Sequence, residues 1–204
     1  IMSYSLNTTI LNPLSEKKPE NAVILCHGYG GDGKDISILA NYWRTYLPDT
    51  IFICPDAPEK CAVSSSGYQW FDLMEQTQDQ ILSKSLVAEM KLNQLIDEVK
   101  ENNNLSSDKI VLGGFSQGCM ISLQTGIKRK DKIKCIIGYS GRIIDLSHLQ
   151  QNIISKPEIF LLHGDKDQVV PISSLLESKD FFKKNNYIIK THILKDCEHR
   201  IPVE

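Results

Sequence analysis

The sequence predicts an α/β protein with a mostly parallel central sheet and helices on both faces. Short apolar and β-branched segments alternate along the chain with longer segments of helical periodicity, which is the pattern of this fold class. The segment Ala22–Cys26 is apolar at every position, as is typical of a parallel strand buried on both faces. At 204 residues, the chain can form a sizeable core. We therefore predict one domain spanning residues 1–204.

The elements are predicted in chain order from apolar runs and their boundaries. Pro48 follows the first helical segment, and Pro55 follows the strand 50–54. The longest helix ends at Asn102 to Asn104. Residues 56–67 contain proline, glycine and serines and are predicted to form a long loop. The predicted strands are 4–11 at an edge, 22–26, 50–54, 110–113, 134–139, 158–162 and 187–194. The predicted helices are 35–47, 78–102, one from the glycines after 113 to about 130, and 173–185.

Composition and charge exclude several classes of protein. The net charge of −2 gives no electrostatic basis for binding nucleic acid or an anionic membrane. No apolar run approaches the roughly 20 residues of a membrane-spanning helix, and the first residues lack the pattern of a signal peptide. The six cysteines are scattered without a Cys-x-x-Cys pair, which favours a reducing cytoplasm over a disulfide framework.

The segment Ile110–Met120 carries the main functional motif. A predicted strand runs into Gly-x-Ser-x-Gly, formed by Gly114, Ser116 and Gly118, and continues directly into a helix. This order is typical of a nucleophile elbow, a strained turn that exposes a serine hydroxyl at the carboxyl end of a sheet. The flanking glycines are required because a Cβ would crowd the turn or the neighbouring strand. We therefore predict that Ser116 is a nucleophile.

A serine nucleophile needs a histidine to take its proton and a carboxylate to orient that histidine. In elbow enzymes, these residues follow the serine in the order acid, then histidine. His199 lies just past the last predicted strand and is our choice, whereas His192 lies within that strand. Asp165 and Asp167 both follow the strand 158–162, and spacing favours Asp167 while leaving Asp165 open.

The reaction also needs two backbone N–H groups directed at the developing oxyanion. One is expected from Gln117, the residue after the nucleophile. The other is expected from the glycine-rich loop His27–Gly33, whose glycines let the backbone approach a substrate closely. The alternative is that this segment binds phosphate, but the segment lacks the Gly-Lys-Ser/Thr motif of a phosphate-binding loop. Within the loop, His27 is interpreted as a packing residue.

Five segments, matched in order over nearly the whole chain, resemble one known family. They are His27–Gly30, Cys54–Pro58, Trp70–Asp72, Gly113–Gly118 and His163–Pro171. The chain resembles the phospholipase/carboxylesterase group of α/β hydrolases, which includes acyl-protein thioesterases and bacterial carboxylesterases. The resemblance implies an α/β-hydrolase fold, with Ser116 as the nucleophile, Asp167 as the acid and His199 as the base.

The same resemblance implies the binding residues. It assigns the oxyanion donors to the amides of Tyr29 and Gln117, and it places Gly28 and Trp70 at the substrate site. Tyr29 departs from the pattern, because thioesterases of higher organisms carry an aliphatic residue there, and its phenol is expected to alter acyl-chain preference. Cys119 is bulkier than the glycine or alanine usual in the family, which tests the packing of the following helix.

A third departure concerns the end of the sequence. The family continues into a C-terminal helix where this sequence stops at Ile201–Glu204, so the helix is expected to be absent or truncated. Without it, we expect one face of the sheet to be poorly covered and His199 to be less firmly held.

These observations predict a serine carboxylesterase that forms a covalent acyl-enzyme and uses no cofactor or metal. Acyl esters are the expected substrates, with thioesters and lysophospholipids as further candidates. The expected partner is a small-molecule or lipid acyl ester, without nucleic acid or stable membrane insertion. A homodimer contact through Tyr29 and Trp70 near the mouth of the site stays open. The alternatives are a catalytically silent binding protein of the same fold, and a peptidase or C–C hydrolase with the same triad.

Overall fold

The computed structural model describes residues 3–74 and 76–202. The predictions for the first two residues and for Val203 and Glu204 therefore lie outside the described residues. The strands are β1 (Thr8–Leu11), β2 (Asn21–Cys26), β3 (Thr50–Pro55), β4 (Glu59–Lys60), β5 (Tyr68–Gln69), β6 (Ile110–Phe115), β7 (Cys135–Tyr139), β8 (Glu158–Gly164) and β9 (Ile189–Leu194). The helices are α1 (Gly33–Trp43), α2 (Gln78–Asn103), α3 (Gln117–Ile127), α4 (Leu146–Gln151) and α5 (Ser173–Lys184).

Seven strands form the main sheet in the order β1-β3-β2-β6-β7-β8-β9. All neighbouring pairs are parallel except β1 with β3, so β1 is the antiparallel edge strand. The predicted α/β architecture is confirmed, and each predicted strand and helix is present with boundaries shifted by a few residues. The helix α4 and the β4–β5 hairpin were not predicted, because these elements are too short to show a hydrophobic period.

Local sequence explains where α1 and α2 begin and where α2 ends. The Asp32 carboxylate accepts a hydrogen bond of 2.8 Å from the Asp35 amide and caps α1. Thr77 and Gln80 form a reciprocal capping box at the start of α2, which satisfies two amides that the helix leaves unbonded. The helix α2 ends at Asn104, whose φ of 52° stops the helical path.

The two faces of the sheet are covered unequally. Helices α2, α3, α4 and α5 contribute to a large core on one face, which includes Ile24, Leu112, Ile136 and Ile159. On the other face, α1 packs over β2 and β3 in a smaller core. Burial on both sides explains the continuous apolar composition of β2 and β3.

The second face is open over β7 and β8. The side chains of Cys135, Ile137, Phe160 and Leu162 lie on this face and are partly exposed. The residues of β9 on the same face, Lys190 and His192, are exposed. This face of the sheet is therefore partly open over β7, β8 and β9. Within residues 3–74 and 76–202, no helix combines the length and apolar character needed to cross a membrane.

Candidate active site

Ser116 lies at the turn between β6 and α3 with a φ of 54° and a ψ of −115°. This backbone conformation is unfavourable for a residue with a side chain and is held by its surroundings. A Cβ on Gly114 or Gly118 would lie 2.2 or 2.0 Å from the carbonyl oxygen of Cys26. The glycines are therefore required by the close approach of β2, as the sequence predicts.

The three predicted polar side chains meet at the carboxyl edge of the sheet. The Nε2 atom of His199 lies 2.9 Å from Oγ of Ser116, and its Nδ1 atom lies 2.7 Å from Oδ2 of Asp167. A carboxylate can only accept, so Nδ1–H donates to Asp167 and Nε2 is left to accept the Ser116 hydroxyl proton. The sheet thus joins side chains that are 83 and 32 positions apart in sequence.

Asp167 is fixed by the loop that follows β8. Its side chain is fully buried, and Oδ1 accepts hydrogen bonds of 2.9 and 2.8 Å from the amides of Val169 and Val170. Beneath it, Nε2 of the buried His163 donates to the carbonyl oxygen of Val170 at 2.8 Å. His163 was not predicted to have a role. It lies near the end of β8, just before the loop 165–171, which carries Asp165 and Asp167 and is called the acidic loop.

The two alternatives left by spacing lie elsewhere. Asp165 is exposed, and its backbone amide donates to the carbonyl of Leu194. His192 is also exposed, on the edge strand β9. The structure therefore brings Asp167 and His199 to Ser116, and it does not bring Asp165 or His192 there. In the part of the chain that is described, no cluster of three or more His, Cys, Asp and Glu side chains could hold a metal ion.

The expectation that His199 is loosely held differs from the structure. Besides its two hydrogen bonds, its ring packs on Phe115 with the centroids 4.8 Å apart. Phe115 is the last residue of β6, next to the nucleophile. Contacts from β6 and the acidic loop thus position the imidazole without a covering helix.

The two residues predicted to supply oxyanion donors, Tyr29 and Gln117, line the serine cleft together with Ser116. Gln117 is the first residue of α3, where the N–H groups have no partner within the helix. Tyr29 lies in the glycine-rich loop, which turns at Gly30 with a φ of 84°. Neither amide donates to a protein acceptor among the described residues. Both are therefore available to a substrate oxygen.

The side chain of Gln117 ties two loops together. Its Oε1 accepts from the amide of Trp70, and its Nε2 donates to the carbonyl of Phe71, both at 2.7 Å. The indole N–H of Trp70 donates to the carbonyl of His27 at 3.0 Å. These buried bonds anchor the glycine-rich loop to the start of α3.

Trp70 does not lie where a substrate contact was expected. Its side chain is 1% exposed and belongs to the core. It supports the glycine-rich loop from below because its indole N–H finds its acceptor in the loop backbone. Trp70 also offers no surface to the homodimer contact that had been left open.

His27 has the packing role that was predicted. Its Nε2 accepts a 2.9 Å hydrogen bond from the amide of Ala57, and its Nδ1 lies 2.7 Å from the carbonyl of Gly28. Burial lowers the pKa of His27. The ring is therefore neutral and holds the glycine-rich loop against the loop after β3.

Two clefts open beside Ser116, and both are lined by Tyr29, Phe115 and His199. The glycine-loop cleft, of about 340 Å³, also contains the predicted binding residue Gly28. The serine cleft has a volume of about 400 Å³ and holds the nucleophile. The serine cleft is lined by Tyr29, Leu73, Phe115, Ser116, Gln117, Met120, Arg142, Val169, Val170 and His199.

The phenol of Tyr29 faces a polar neighbour at the cleft. Its hydroxyl lies 3.5 Å from Oδ1 of Asp72. Burial, together with Cys61 and Asp72, raises the pKa of Tyr29 to about 12. The phenol is therefore neutral at ordinary pH and presents a hydrogen-bonding group at the serine cleft.

Comparison with known proteins agrees with this geometry. A family model described as phospholipase/carboxylesterase matches residues 10–204. Acyl-protein thioesterase 1 of Saccharomyces cerevisiae is 31% identical over 83% of this chain and 82% of its own, and that of Yarrowia lipolytica is 33% identical over 78% and 74%. The crystal structure of esterase PE8 is similar with a TM-score of 0.92 and 33% identity, covering 97% of this chain and 93% of PE8.

Proposed function

The chain belongs to the phospholipase/carboxylesterase family of serine hydrolases acting on ester bonds, and we propose that it cleaves acyl esters with Ser116, His199 and Asp167 as its triad. The family comparisons confirm the predicted α/β-hydrolase fold. The observation that carries the proposal is the hydrogen-bonded chain from Oγ of Ser116 through His199 to the buried carboxylate of Asp167.

In the proposed reaction, Oγ of Ser116 attacks the ester carbonyl carbon while Nε2 of His199 takes the hydroxyl proton. The resulting imidazolium is stabilised by Asp167, which stays ionised. His199 then gives the proton to the leaving alcohol or thiol as the acyl-enzyme forms. A water molecule, deprotonated by His199, releases the acid and restores Ser116.

The amides of Tyr29 and Gln117 are the proposed donors to the tetrahedral oxyanion. Each such donor typically contributes about 3–4 kcal/mol to transition-state stabilisation. The Gln117 side chain supports this assignment, since it holds the Trp70–Phe71 segment, and the indole N–H of Trp70 in turn donates to the carbonyl of His27 in the glycine-rich loop. Gly28 lines the glycine-loop cleft beside them and is proposed to contact the substrate through its backbone.

The proposed substrates are small-molecule or lipid acyl esters, with thioesters and lysophospholipids as further candidates. A cleft of about 400 Å³ lined mainly by apolar side chains supports binding of a short acyl group. The reaction calls for no cofactor, nucleic acid or membrane insertion. A cytoplasmic location is supported by the six cysteines, all of which are unpaired.

A fluorophosphonate probe tests the proposed nucleophile, because it reacts covalently with activated serines. We expect labelling at Ser116 and its loss in Ser116→Ala. Ser140→Ala is the matched control, since Ser140 is a buried serine at the end of the next strand, β7. A folded protein that is not labelled would instead support the catalytically silent binding protein.

A panel of substrates separates hydrolase chemistries that share this triad. We expect kcat/KM for 4-nitrophenyl esters and acyl thioesters to exceed that for aminoacyl amides. Amide rates equal to ester rates would support a peptidase instead.

A further inference from the structure

Arg142 is the one side chain of permanent charge among the described residues that line the serine cleft. It follows Ser140 and Gly141 at the carboxyl end of β7. Gly141 packs closely on the elbow, because a Cβ there would lie 3.1 Å from the carbonyl oxygen of Ser116. The chain therefore places a guanidinium in the same cleft as the nucleophile.

Among the described residues, no protein group satisfies this guanidinium well. In the described part of the chain, Arg142 forms no ion pair with a carboxylate. Its hydrogen bonds to described residues are two contacts of 3.4 Å from Nη1 to the carbonyls of Ile143 and Ile144. The carbonyl of Ile144 already accepts a bond of 2.7 Å from Gln78. A guanidinium has five N–H donors. Two long contacts to the backbone therefore do not account for an arginine at this position.

Arg129 shows a different arrangement. Arg129 is 7% exposed and bridges Asp97 and Asp131 at 2.7 and 2.9 Å. That pairing is the usual arrangement for a partly buried guanidinium. Arg142 is partly buried as well, yet it lines the serine cleft and pairs with no carboxylate among the described residues.

We propose that Arg142 binds an anionic oxygen group of the substrate, a carboxylate or a phosphate, so that the enzyme prefers esters that carry a negative charge. This inference rests on the proposed function of Ser116. The apolar lining from Leu73, Met120 and Val170 strengthens the attraction, because an ion pair is less screened there than in water. The substrate class is an acyl ester with an anion on its acyl or its alcohol part.

Two substrate pairs distinguish the position of the anion. The first compares 4-nitrophenyl hemiadipate with 4-nitrophenyl hexanoate, which differ by a carboxylate on the acyl part. The second compares 1-hexanoylglycerol 3-phosphate with 1-hexanoylglycerol, which differ by a phosphate on the alcohol part. We expect the kcat/KM of the wild type to be about 10- to 100-fold higher for the anionic member of one pair. This ratio corresponds to the free-energy contribution of one charge-assisted hydrogen bond.

Arg142→Gln is expected to abolish this preference while leaving the neutral ester nearly unaffected. Arg142→Lys should retain part of it, and Lys91→Gln, which removes an exposed cation of α2 outside the cleft, should change nothing. Equal rates within both pairs in the wild type would overturn the proposal. So would an equal loss for charged and neutral esters in Arg142→Gln, which indicates a structural role.

A binding measurement separates this proposal from the esterase assignment. Isothermal titration of Ser116→Ala with 4-nitrophenyl hemiadipate and 1-hexanoylglycerol 3-phosphate should detect one of them, and adding Arg142→Gln should weaken that binding about tenfold or more. If the wild type cleaves no ester but this binding depends on Arg142, the anion site stands and the esterase function fails. If esters are cleaved without charge preference and neither anion binds, the reverse holds.

Discussion

The sulfur of Cys119 on α3 lies over Gly138 on β7, in the space that a side chain on the glycine would occupy. A Cβ on Gly138 would come within 2.3 Å of Sγ of Cys119, and a Cβ on Gly141 within 2.5 Å. The bulky residue after the elbow is thus accommodated by two glycines on the neighbouring strand and its loop. Cys119 is 1% exposed, so the helix packs without a shift away from the sheet.

This pairing predicts that substitutions at Gly138 and Cys119 are coupled. Gly138→Ala should lower the free energy of unfolding by about 1–3 kcal/mol, because the added methyl overpacks a buried contact. In the Cys119→Ala background, the same substitution should cost about 1 kcal/mol less. Urea denaturation of the wild type, both single variants and the double variant measures this difference. Strictly additive effects would contradict the pairing.

The acidic loop predicts opposite outcomes for its two aspartates. Asp167→Asn should lower kcat by about three to four orders of magnitude, because an amide no longer holds His199 in the required tautomer. Asp165→Asn should leave kcat within about twofold, since Asp165 is exposed and makes no side-chain contact with His199. Ester hydrolysis by the two purified variants gives the comparison. A comparable loss in both would exclude Asp167 as the acid.

The clamp made by Gln117 predicts a joint loss of stability and activity. Gln117→Ala leaves the amide of Trp70 and the carbonyl of Phe71 without their partners, and it should lower the free energy of unfolding by about 2–4 kcal/mol. The kcat for esters should fall as well, because the glycine-rich loop loses its anchor although the backbone donor remains. Gln94→Ala, at an exposed position of α2, is the control. Unchanged stability in Gln117→Ala would refute the clamp.

Buried thiols predict a loss of stability at high pH. Burial raises the pKa of Cys26, Cys54 and Cys119 to about 12, from an ordinary value of 9.0. Between these values, the unfolded chain binds fewer protons than the native chain, so the free energy of unfolding falls as pH rises. The contribution of each thiol is complete below pH 9 and lost through about pH 12.

Cys54→Ala isolates the contribution of one thiol. Between pH 8 and 10.5, the wild type should lose about 2 kcal/mol more than the variant, at about 1.4 kcal/mol per pH unit. Urea denaturation at the two pH values measures both proteins under the same conditions. Equal losses would show that ionisation of Cys54 does not oppose folding.

The fold was predictable because its inner strands β2 and β3 are buried on both faces and its helices carry an apolar stripe. The short helix α4 escaped prediction because six residues span less than two turns. Its N-cap, Asp145, which accepts a 2.7 Å bond from the amide of His148, is the one local signal that could have indicated it.

The sequence predicts site residues where they come directly after a strand, but it does not distinguish two candidates in the same loop. Ser116 and His199 could be chosen from motif and chain order, but Asp165 and Asp167 share one loop. Their difference depends on which carboxylate meets the amides of Val169 and Val170, and spacing does not determine that. Burial of Trp70 likewise depends on how two distant loops pack.

Arg142 was missed because it belongs to no motif. Its position two residues after Ser140, where β7 ends, was nevertheless a usable signal, since functional residues in parallel sheets collect at such ends. Its importance becomes apparent only when the neighbouring strands are assembled around the cleft.

The strand order β6-β7-β8 has a consequence for how such enzymes diverge. The proposed nucleophile follows β6 and the proposed acid follows β8, so the segment after β7 lies between them and would contact a substrate without carrying a reacting atom. Mutations in that segment would change which substrate is bound, while the proposed catalytic residues after β6 and β8 are retained. Substitution of Arg142 and its neighbours alone would therefore be sufficient to change the substrate specificity of a lineage.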